Sequence, residues 1–152
     1  MSIVECVSCE LTSSGDAQWV KQDGDVVAFL PLPEGSLASW HTLVVPRVHC
    51  VGVQDAEPQA LHASIDLVQR LSRAMSSGLA ATGVVALNIS EAHSGQSVQH
   101  LDFHVVPSWA DDEALFLPDD RSVHSVAGEA CTLLAEALTK RQRTSSARDG
   151  IH

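Results

Sequence analysis

The sequence predicts an α+β domain in which an antiparallel sheet is packed on one side by helices. Short apolar runs bounded by turn residues precede a long stripe of helical spacing, and two further apolar runs follow before helical spacing returns. The chain of 152 residues is long enough for one core, since a domain of this size buries roughly 70% of its unfolded surface. We expect one domain over residues 1–140 and a polar tail over residues 141–152.

The first two predicted strands are apolar runs that end at proline. Residues 26–30 follow a turn at residues 23–25, and Pro31 opens the loop that ends this strand. A second strand begins near His41. Pro46 stops the second strand because proline has no N–H to donate to a ladder.

The central part of the chain predicts an amphipathic helix. Asp55 is expected to cap the helix, Pro58 stands in its first turn, and Gly78 is the expected stop. Apolar residues recur between these limits at helical spacing and form one stripe, which consists of Leu61, Ile65, Val68, Leu71 and Met75.

Two apolar segments and a polar end complete the predicted order. Residues 84–87 read as a further strand, and a polar loop separates it from the strand that carries His104. Helical spacing then returns from Val123 to Leu138. From Lys140 onward the sequence is polar and lacks periodicity, so we expect a disordered tail.

Composition and charge exclude several classes of protein. The formal net charge of -10 argues against nucleic-acid binding, which depends on clustered Lys and Arg. No apolar run reaches the roughly 18 residues of a membrane span, and the start of the chain lacks the pattern of a signal peptide. We therefore expect a cytoplasmic protein without membrane contacts, whose four cysteines are reduced thiols or metal ligands.

Polar and apolar residues alternate through the last predicted strand. His100, Asp102 and His104 alternate with apolar neighbours, and side chains alternate faces along an extended strand. The three polar groups are therefore expected on one face, which we interpret as a functional site.

The stretch His100-Leu101-Asp102-Phe103-His104 resembles the signature of the histidine triad family of nucleotide hydrolases and transferases, with Asp102 in the place of the central His. The resemblance extends to the stretch from His41 to His49, which is similar to an earlier strand of the family, and to an amino-terminal Cys6-Val7-Ser8-Cys9 half-site. It implies a five-stranded antiparallel sheet with two main helices, and a homodimer whose two sheets join.

Four residues predict a metal site. The pair Cys6 and Cys9 forms a Cys2His2 set with His49 and His100, a ligand combination that tetrahedral Zn²⁺ prefers. The resemblance implies that these four positions hold a structural zinc ion. Two free thiols and two unrelated histidines remain the alternative interpretation of the same residues.

The expected catalytic group differs from that of the family. In the family the central His attacks the α-phosphate of a nucleotide, which is covalent catalysis in two steps. Asp102 would instead bring a negative charge toward a negative phosphate, so we do not expect this chemistry. If the protein is an enzyme, we expect Asp102 to act as a general base or to position a nucleophile, between His41 and His104.

Further residues are predicted to bind the substrate. The resemblance implies that Gln96 orders the loop before the strand and that Ser97 donates a hydroxyl. Other candidates depart from the family pattern: Asn88 is offset by one position, His93 is an additional imidazole, and Trp40 stands where Gly is usual. Pro31 also replaces a common ribose-binding Asp, so recognition of a ribose is left open.

These residues allow two classes of function. The first is a hydrolase or transferase with a non-standard site, acting on a nucleotide or on another phosphate-containing metabolite. The alternative is a nucleotide-binding or regulatory protein without turnover, or a fold that has been repurposed for a different small-molecule reaction. Whether Asp102 supports turnover decides between these two classes.

Overall fold

The computed structural model describes residues 6–91, 94–96, 98–114 and 120–148, and it divides into two compact units. The first unit spans residues 1–116 and the second spans residues 117–152. The predicted helical spacing from Val123 to Leu138 falls within the second unit.

The first unit is built on a five-stranded antiparallel sheet, as predicted. Its strands are β1 (Trp19–Asp23), β2 (Val26–Phe29), β3 (Thr42–Pro46), β4 (Gly83–Leu87) and β5 (Phe103–Ser108), in the spatial order β1-β2-β3-β5-β4. The sequence did not predict β1, because this edge strand is mostly polar and exposed and shows no buried face.

Two helices lie in the first unit, α1 (Val7–Ser14) and α2 (Pro58–Leu79). The start of α2 corrects the predicted cap: Glu57 occupies the cap position, and the Asp55 carboxylate accepts the N–H groups of Val51 and Gly52. The helix continues through Gly78 and ends where Ala80 takes a left-handed conformation.

The two faces of the sheet pack against different elements. On one face, Val26, Ala28, Val44, Phe103 and Val105 pack against the buried stripe of α2. This stripe includes Leu67, which the sequence analysis omitted, whereas the predicted Ile65 is half exposed. On the other face, Val27, Phe29 and Val45 pack against Leu11 of α1. Alternation along β5 therefore sends His104 to the α1 face, opposite to α2.

The second unit contains one helix, α3 (Ala130–Arg148). It begins after Val123, which is fully exposed, and it includes residues 141–148, where the sequence predicted a tail without periodic structure. The stretch from Lys140 to Arg148 has neither Gly nor Pro, so nothing in it breaks a helix. Among the helices in the described ranges, none is long and apolar enough to cross a membrane.

Candidate functional site

Two strands carry the candidate catalytic side chains into contact. His104 lies on β5 opposite Leu43 of β3, and His41 directly precedes β3. The side chains of His104 and Asp102 are about a quarter exposed, whereas His41 is only 1% exposed. The structure thus brings the three predicted catalytic residues together, with His41 as the buried member.

Two hydrogen bonds and one longer polar contact link these residues in a chain with a fixed direction. The backbone N–H of Leu37 donates to Nδ1 of His41 over 3.1 Å, so the proton of neutral His41 resides on Nε2. That Nε2–H donates to Nδ1 of His104 over 3.0 Å. The proton of neutral His104 therefore resides on Nε2, which faces Oδ1 of Asp102 at 3.4 Å. Both nitrogens of His104 have protein partners, and the carboxylate ends the chain. We call this arrangement the imidazole chain.

The buried member of the imidazole chain is held neutral. Burial, with a smaller contribution from the neighbouring His104, lowers the pKa of His41 to about 4. A neutral His41 keeps the single N–H that His104 accepts. The donor and acceptor roles within the imidazole chain are therefore fixed at neutral pH.

A cleft of about 700 Å³ opens beside the imidazole chain, a size that suits a mononucleotide or a similar small molecule. Asp102 and His104 line it at one end. Apolar side chains from α1, β2 and β3 and the preceding loops form much of its wall: Val7, Leu11, Phe29, Leu30, Leu43, Val45 and Val98. The loop of residues 31–35, which begins with Pro31, lines it as well.

The four predicted metal ligands converge at a separate place. The ligand atoms of Cys6, Cys9, His49 and His100 all lie within 4.8 Å of one another. Nδ1 of His49 is 3.3 Å from Nδ1 of His100, and each sulfur lies 3.4 Å from Nδ1 of His100. A tetrahedral zinc ion with Zn–S near 2.3 Å and Zn–N near 2.0 Å sets its nitrogens about 3.3 Å apart and sulfur about 3.5 Å from nitrogen. The donor set and its spacing therefore fit Zn²⁺. We call these four residues the metal cluster.

The surroundings of the metal cluster also fit a metal. Nε2–H of His100 donates to the Pro46 carbonyl over 2.8 Å, which leaves Nδ1 as a lone pair directed at the cluster. Burial and the hydrogen bond with Cys6 raise the pKa of the Cys9 thiol to about 11. Burial lowers the pKa of His100. Both pKa shifts disfavour the charged forms of these groups. A bound cation would instead lower the pKa of the thiol.

Three of the predicted substrate-binding residues are described, Asn88, Gln96 and Trp40, and these three do not line the cleft. Asn88 donates to the backbone carbonyl of Asp102 and accepts from Ser90, and Gln96 bonds the backbone at Val51 and Glu91. These amides order the loops that carry Asp102 and His100. Trp40 is 57% exposed with a φ of 66°, and it lines a different groove beside Trp109. His93 and Ser97 lie outside the described residues.

Sequence reasoning missed two contributors to the site. One is the backbone N–H of Leu37, which no side-chain pattern reveals because every non-proline residue carries this donor. The other is the pair of carboxylates of Asp16 and Glu34, which line the cleft from two separate loops. Only the fold brings these loops together.

Comparisons with known proteins agree on one family. The HIT domain model matches residues 13–110, a range that includes all five strands, α2 and the imidazole chain. A HIT-like protein of Saccharolobus solfataricus is 32% identical over 111 residues, which cover 70% of this chain and 76% of that protein. The adenylylsulfatase HINT3 of Arabidopsis thaliana is 25% identical over 151 residues, covering 90% of this chain and 75% of that protein.

A solved structure adds a metal to the comparison. A zinc-bound histidine triad family protein of Mycobacterium smegmatis has 28% sequence identity and a TM-score of 0.69, and the match covers 77% of this chain and 84% of that chain. The fold of the first unit therefore has relatives in both sequence and structure.

Proposed function

Since the chain belongs to the histidine triad (HIT) family, we propose that it is a hydrolase or transferase in which Asp102 replaces the attacking imidazole and acts as a general base. The observation that carries the proposal is the imidazole chain itself, which ends at a carboxylate in the wall of the cleft. The substrates are small esters, among which the family directs attention to nucleotides and other phosphate esters.

The direction of the hydrogen bonds supports the role of Asp102. His104 offers no free nitrogen to a ligand, because Nδ1 accepts from His41 and Nε2–H faces Oδ1 of Asp102. The second carboxylate oxygen, Oδ2, is the proton acceptor that remains available. In the proposed step it takes a proton from a water or an alcohol, whose oxygen attacks the ester. The leaving oxygen then recovers a proton, so that Asp102 is ionised again.

The two histidines act as positioning residues in this proposal. A donor on one carboxylate oxygen fixes the rotation of the group and aims the other oxygen at the nucleophile. His41 contributes by holding His104 in the tautomer that presents Nε2–H to Asp102. Because Leu37 supplies a backbone donor to His41, the loop that lines the cleft also sets the direction of the chain.

We propose a structural zinc ion at the metal cluster. Cys6, Cys9, His49 and His100 would hold it with four protein ligands, which leaves no open position for substrate or water. Bound there, the ion would fix the start of α1 and the loop after β3 against the residues that precede β5. We also propose the homodimer and the cytoplasmic location predicted from the sequence.

The test compares the chain with its Asp102→Asn variant on p-nitrophenyl esters that share one chromophore: the butyrate, the phosphate and the thymidine 5′-phosphate. A general base of this kind contributes about 10²- to 10⁴-fold, so the variant should lose at least 99% of the rate on any ester that the wild type cleaves. Asp111→Asn is the matched control, since Asp111 lies outside the cleft. Equal rates in the wild type and in Asp102→Asn would overturn the role of Asp102.

Calorimetry with AMP, GMP and CMP tests the alternative of a binding protein without turnover. That alternative requires tight nucleotide binding by a chain that cleaves none of the esters. Cleavage that depends on Asp102 would exclude it.

A further inference from the structure

The first turn of α1 contributes to the cleft and to the metal cluster at once. Val7 and Ser8 line the cleft, and in the sequence they stand between the cluster residues Cys6 and Cys9. Val7 is exposed, so most of its side chain is available to a ligand in the cleft. The position of this part of the cleft wall therefore follows the position of the two cysteines.

The segment before β5 has the same double use. Val98 and Asp102 line the cleft, and they stand two residues before and two residues after the cluster residue His100. Nδ1 of His100 lies 3.4 Å from the sulfur of Cys6 and 3.4 Å from the sulfur of Cys9. The cluster thus joins two separate stretches of the cleft wall.

The carboxyl-terminal half of α1 is anchored without the metal cluster. Leu11 packs against apolar side chains of β2 and β3. Thr12 is buried, and its carbonyl accepts a hydrogen bond from the Arg47 guanidinium. None of these contacts involves a residue of the cluster, so we expect them to persist when the cluster holds no metal.

The first turn of α1 depends on the cluster instead. In the described ranges, the side chains of residues 6–9 make hydrogen bonds only with His49 and His100. Cys6 stands at the cap position without a side-chain hydrogen bond to the helix. A helix of 8 residues does not hold its own ends, since isolated helices are marginal below about 12–15 residues. Without a metal the first turn can therefore unwind while the second half of α1 stays in place.

We propose that metal loading of the cluster controls the ligand affinity of the cleft, because it fixes Val7 and Ser8 as part of the cleft wall. The inference rests on the proposed function, since it concerns the structural zinc ion and the same cleft. Asp102 and the imidazole chain lie beside the sheet and not on α1. Loss of the metal should therefore change the affinity for a ligand more than the arrangement of the reacting groups.

Thermodynamic linkage makes this coupling reciprocal. If zinc raises the affinity of the cleft for a ligand by some factor, the ligand raises the affinity of the cluster for zinc by the same factor. Couplings between two sites are typically about 5- to 150-fold, so we expect a factor of at least about five. The two factors are measured independently and must agree.

The experiment measures the binding of AMP to the full chain by calorimetry, before and after a chelator has removed zinc. Competition with a chromogenic chelator then gives the zinc affinity with and without saturating AMP. We expect zinc removal to weaken AMP binding at least about fivefold, and AMP to tighten zinc binding by the same factor. Equal AMP affinity in the two states, or no AMP binding in either state, would overturn the proposal.

Two valine variants assign the coupling to the cleft wall. Val7 and Val48 are both exposed and each is next to a cluster residue, but of the two only Val7 lines the cleft. Val7→Ala should weaken AMP binding to the zinc-loaded chain about threefold, roughly the value of one buried CH₂ group, and should leave the zinc-free chain nearly unchanged. Val48→Ala should keep the coupling of the wild type. Equal effects of the two variants would contradict the role of the first turn.

Hydrogen exchange locates the change within α1. The Glu10 amide donates to the Cys6 carbonyl over 3.0 Å at the start of the helix, and the Gly15 amide donates to the Leu11 carbonyl over 3.1 Å at its end. Zinc at 100 times its Kd suppresses an opening that releases it about 100-fold, so its removal should speed exchange at Glu10 at least about tenfold. Exchange at Gly15 should change much less. The same acceleration at both amides would refute an opening confined to the first turn.

These readouts do not depend on turnover. If AMP affinity follows zinc but Asp102→Asn retains the full hydrolytic rate, the role of Asp102 fails and the coupling stands. If Asp102→Asn abolishes hydrolysis and zinc binds without changing AMP affinity, the role of Asp102 stands and the coupling fails. A chain that takes up no zinc would refute the proposed metal site and the coupling together.

Discussion

The metal cluster and the imidazole chain share one short segment of sequence, and they differ in what their side chains face. His100 belongs to the cluster, and His104, four residues later, belongs to the chain. The cluster converges on itself, with all ligand atoms within 4.8 Å of one another. The imidazole chain ends instead at Asp102, which lines an open cleft. One short segment thus serves both a closed set of ligand atoms and an open cleft, through side chains only two to four residues apart.

The two regions also use histidine differently. In the metal cluster, Nε2–H of His100 donates to the Pro46 carbonyl, so the Nδ1 lone pair faces the other three residues of the cluster. In the imidazole chain, the backbone N–H of Leu37 donates to Nδ1 of His41. The Nε2–H of His41 is therefore available to donate to His104. Backbone partners of opposite polarity thus direct the Nδ1 lone pair of His100 at the metal cluster and the Nε2–H of His41 at His104.

The largest expected effect concerns the cluster. Cys9→Ser removes a thiolate ligand and should lower the free energy of unfolding by at least about 3 kcal/mol, because structural zinc contributes about 10–16 kcal/mol in small zinc-binding peptides. Metal analysis measures the zinc content, and thermal unfolding measures the melting temperature. Cys131→Ser, in the second unit, makes the same chemical change at an exposed cysteine and should alter neither quantity. A Cys9→Ser protein with full zinc content and unchanged melting would refute the structural role.

A smaller effect, on turnover, is expected for a substitution in the imidazole chain. His104→Gln replaces the imidazole that orients Asp102 and should lower kcat about 10- to 100-fold, because a misplaced catalytic group costs up to about 10²-fold. KM should change much less, and the zinc content should stay the same. A change confined to KM would instead make His104 a substrate-binding residue.

His41, the buried member of the imidazole chain, predicts a pH dependence of the free energy of unfolding. The pKa of His41 is lowered to about 4 from an ordinary value of 6.5, so the unfolded chain binds more protons between these values. The stability that His41 contributes is present above pH 6.5 and is lost as the pH falls toward 4. Urea unfolding across this range should show a steeper loss for the wild type than for His41→Gln. Parallel curves for the two proteins would contradict a neutral, buried His41.

The smallest expected effect concerns the amide that orders the Asp102 backbone. Asn88→Ala removes a 2.8 Å hydrogen bond to the Asp102 carbonyl and should cost about 1 kcal/mol of stability. It should lower turnover only a few-fold while leaving the zinc content intact. If ligand affinity is lost with stability unchanged, Asn88 contacts the substrate directly, as predicted from the sequence.

Particular residues show how far the sequence could predict this molecule. Alternation around His104 and the Cys-x-x-Cys pair are local patterns, and both led to groups that the structure brings together. The edge strand β1 escaped prediction because its residues are exposed and carry no apolar period. Ile65 fitted the helical stripe, although the sheet covers Leu67 instead. The Leu37 donor and the carboxylates of Asp16 and Glu34 depend on distant loops meeting, which no sequence spacing records.

One pair of variants, measured side by side, tests the division of labour between the two regions most directly. For Asp102→Asn and Cys9→Ser, the kcat/KM on the best p-nitrophenyl ester, the zinc content and the melting temperature are determined in parallel. We predict that Asp102→Asn loses at least about 99% of kcat/KM with full zinc and an unchanged melting temperature, since a positioned general base contributes about 10²- to 10⁴-fold. Full kcat/KM in Asp102→Asn, or loss of its zinc, would contradict the account.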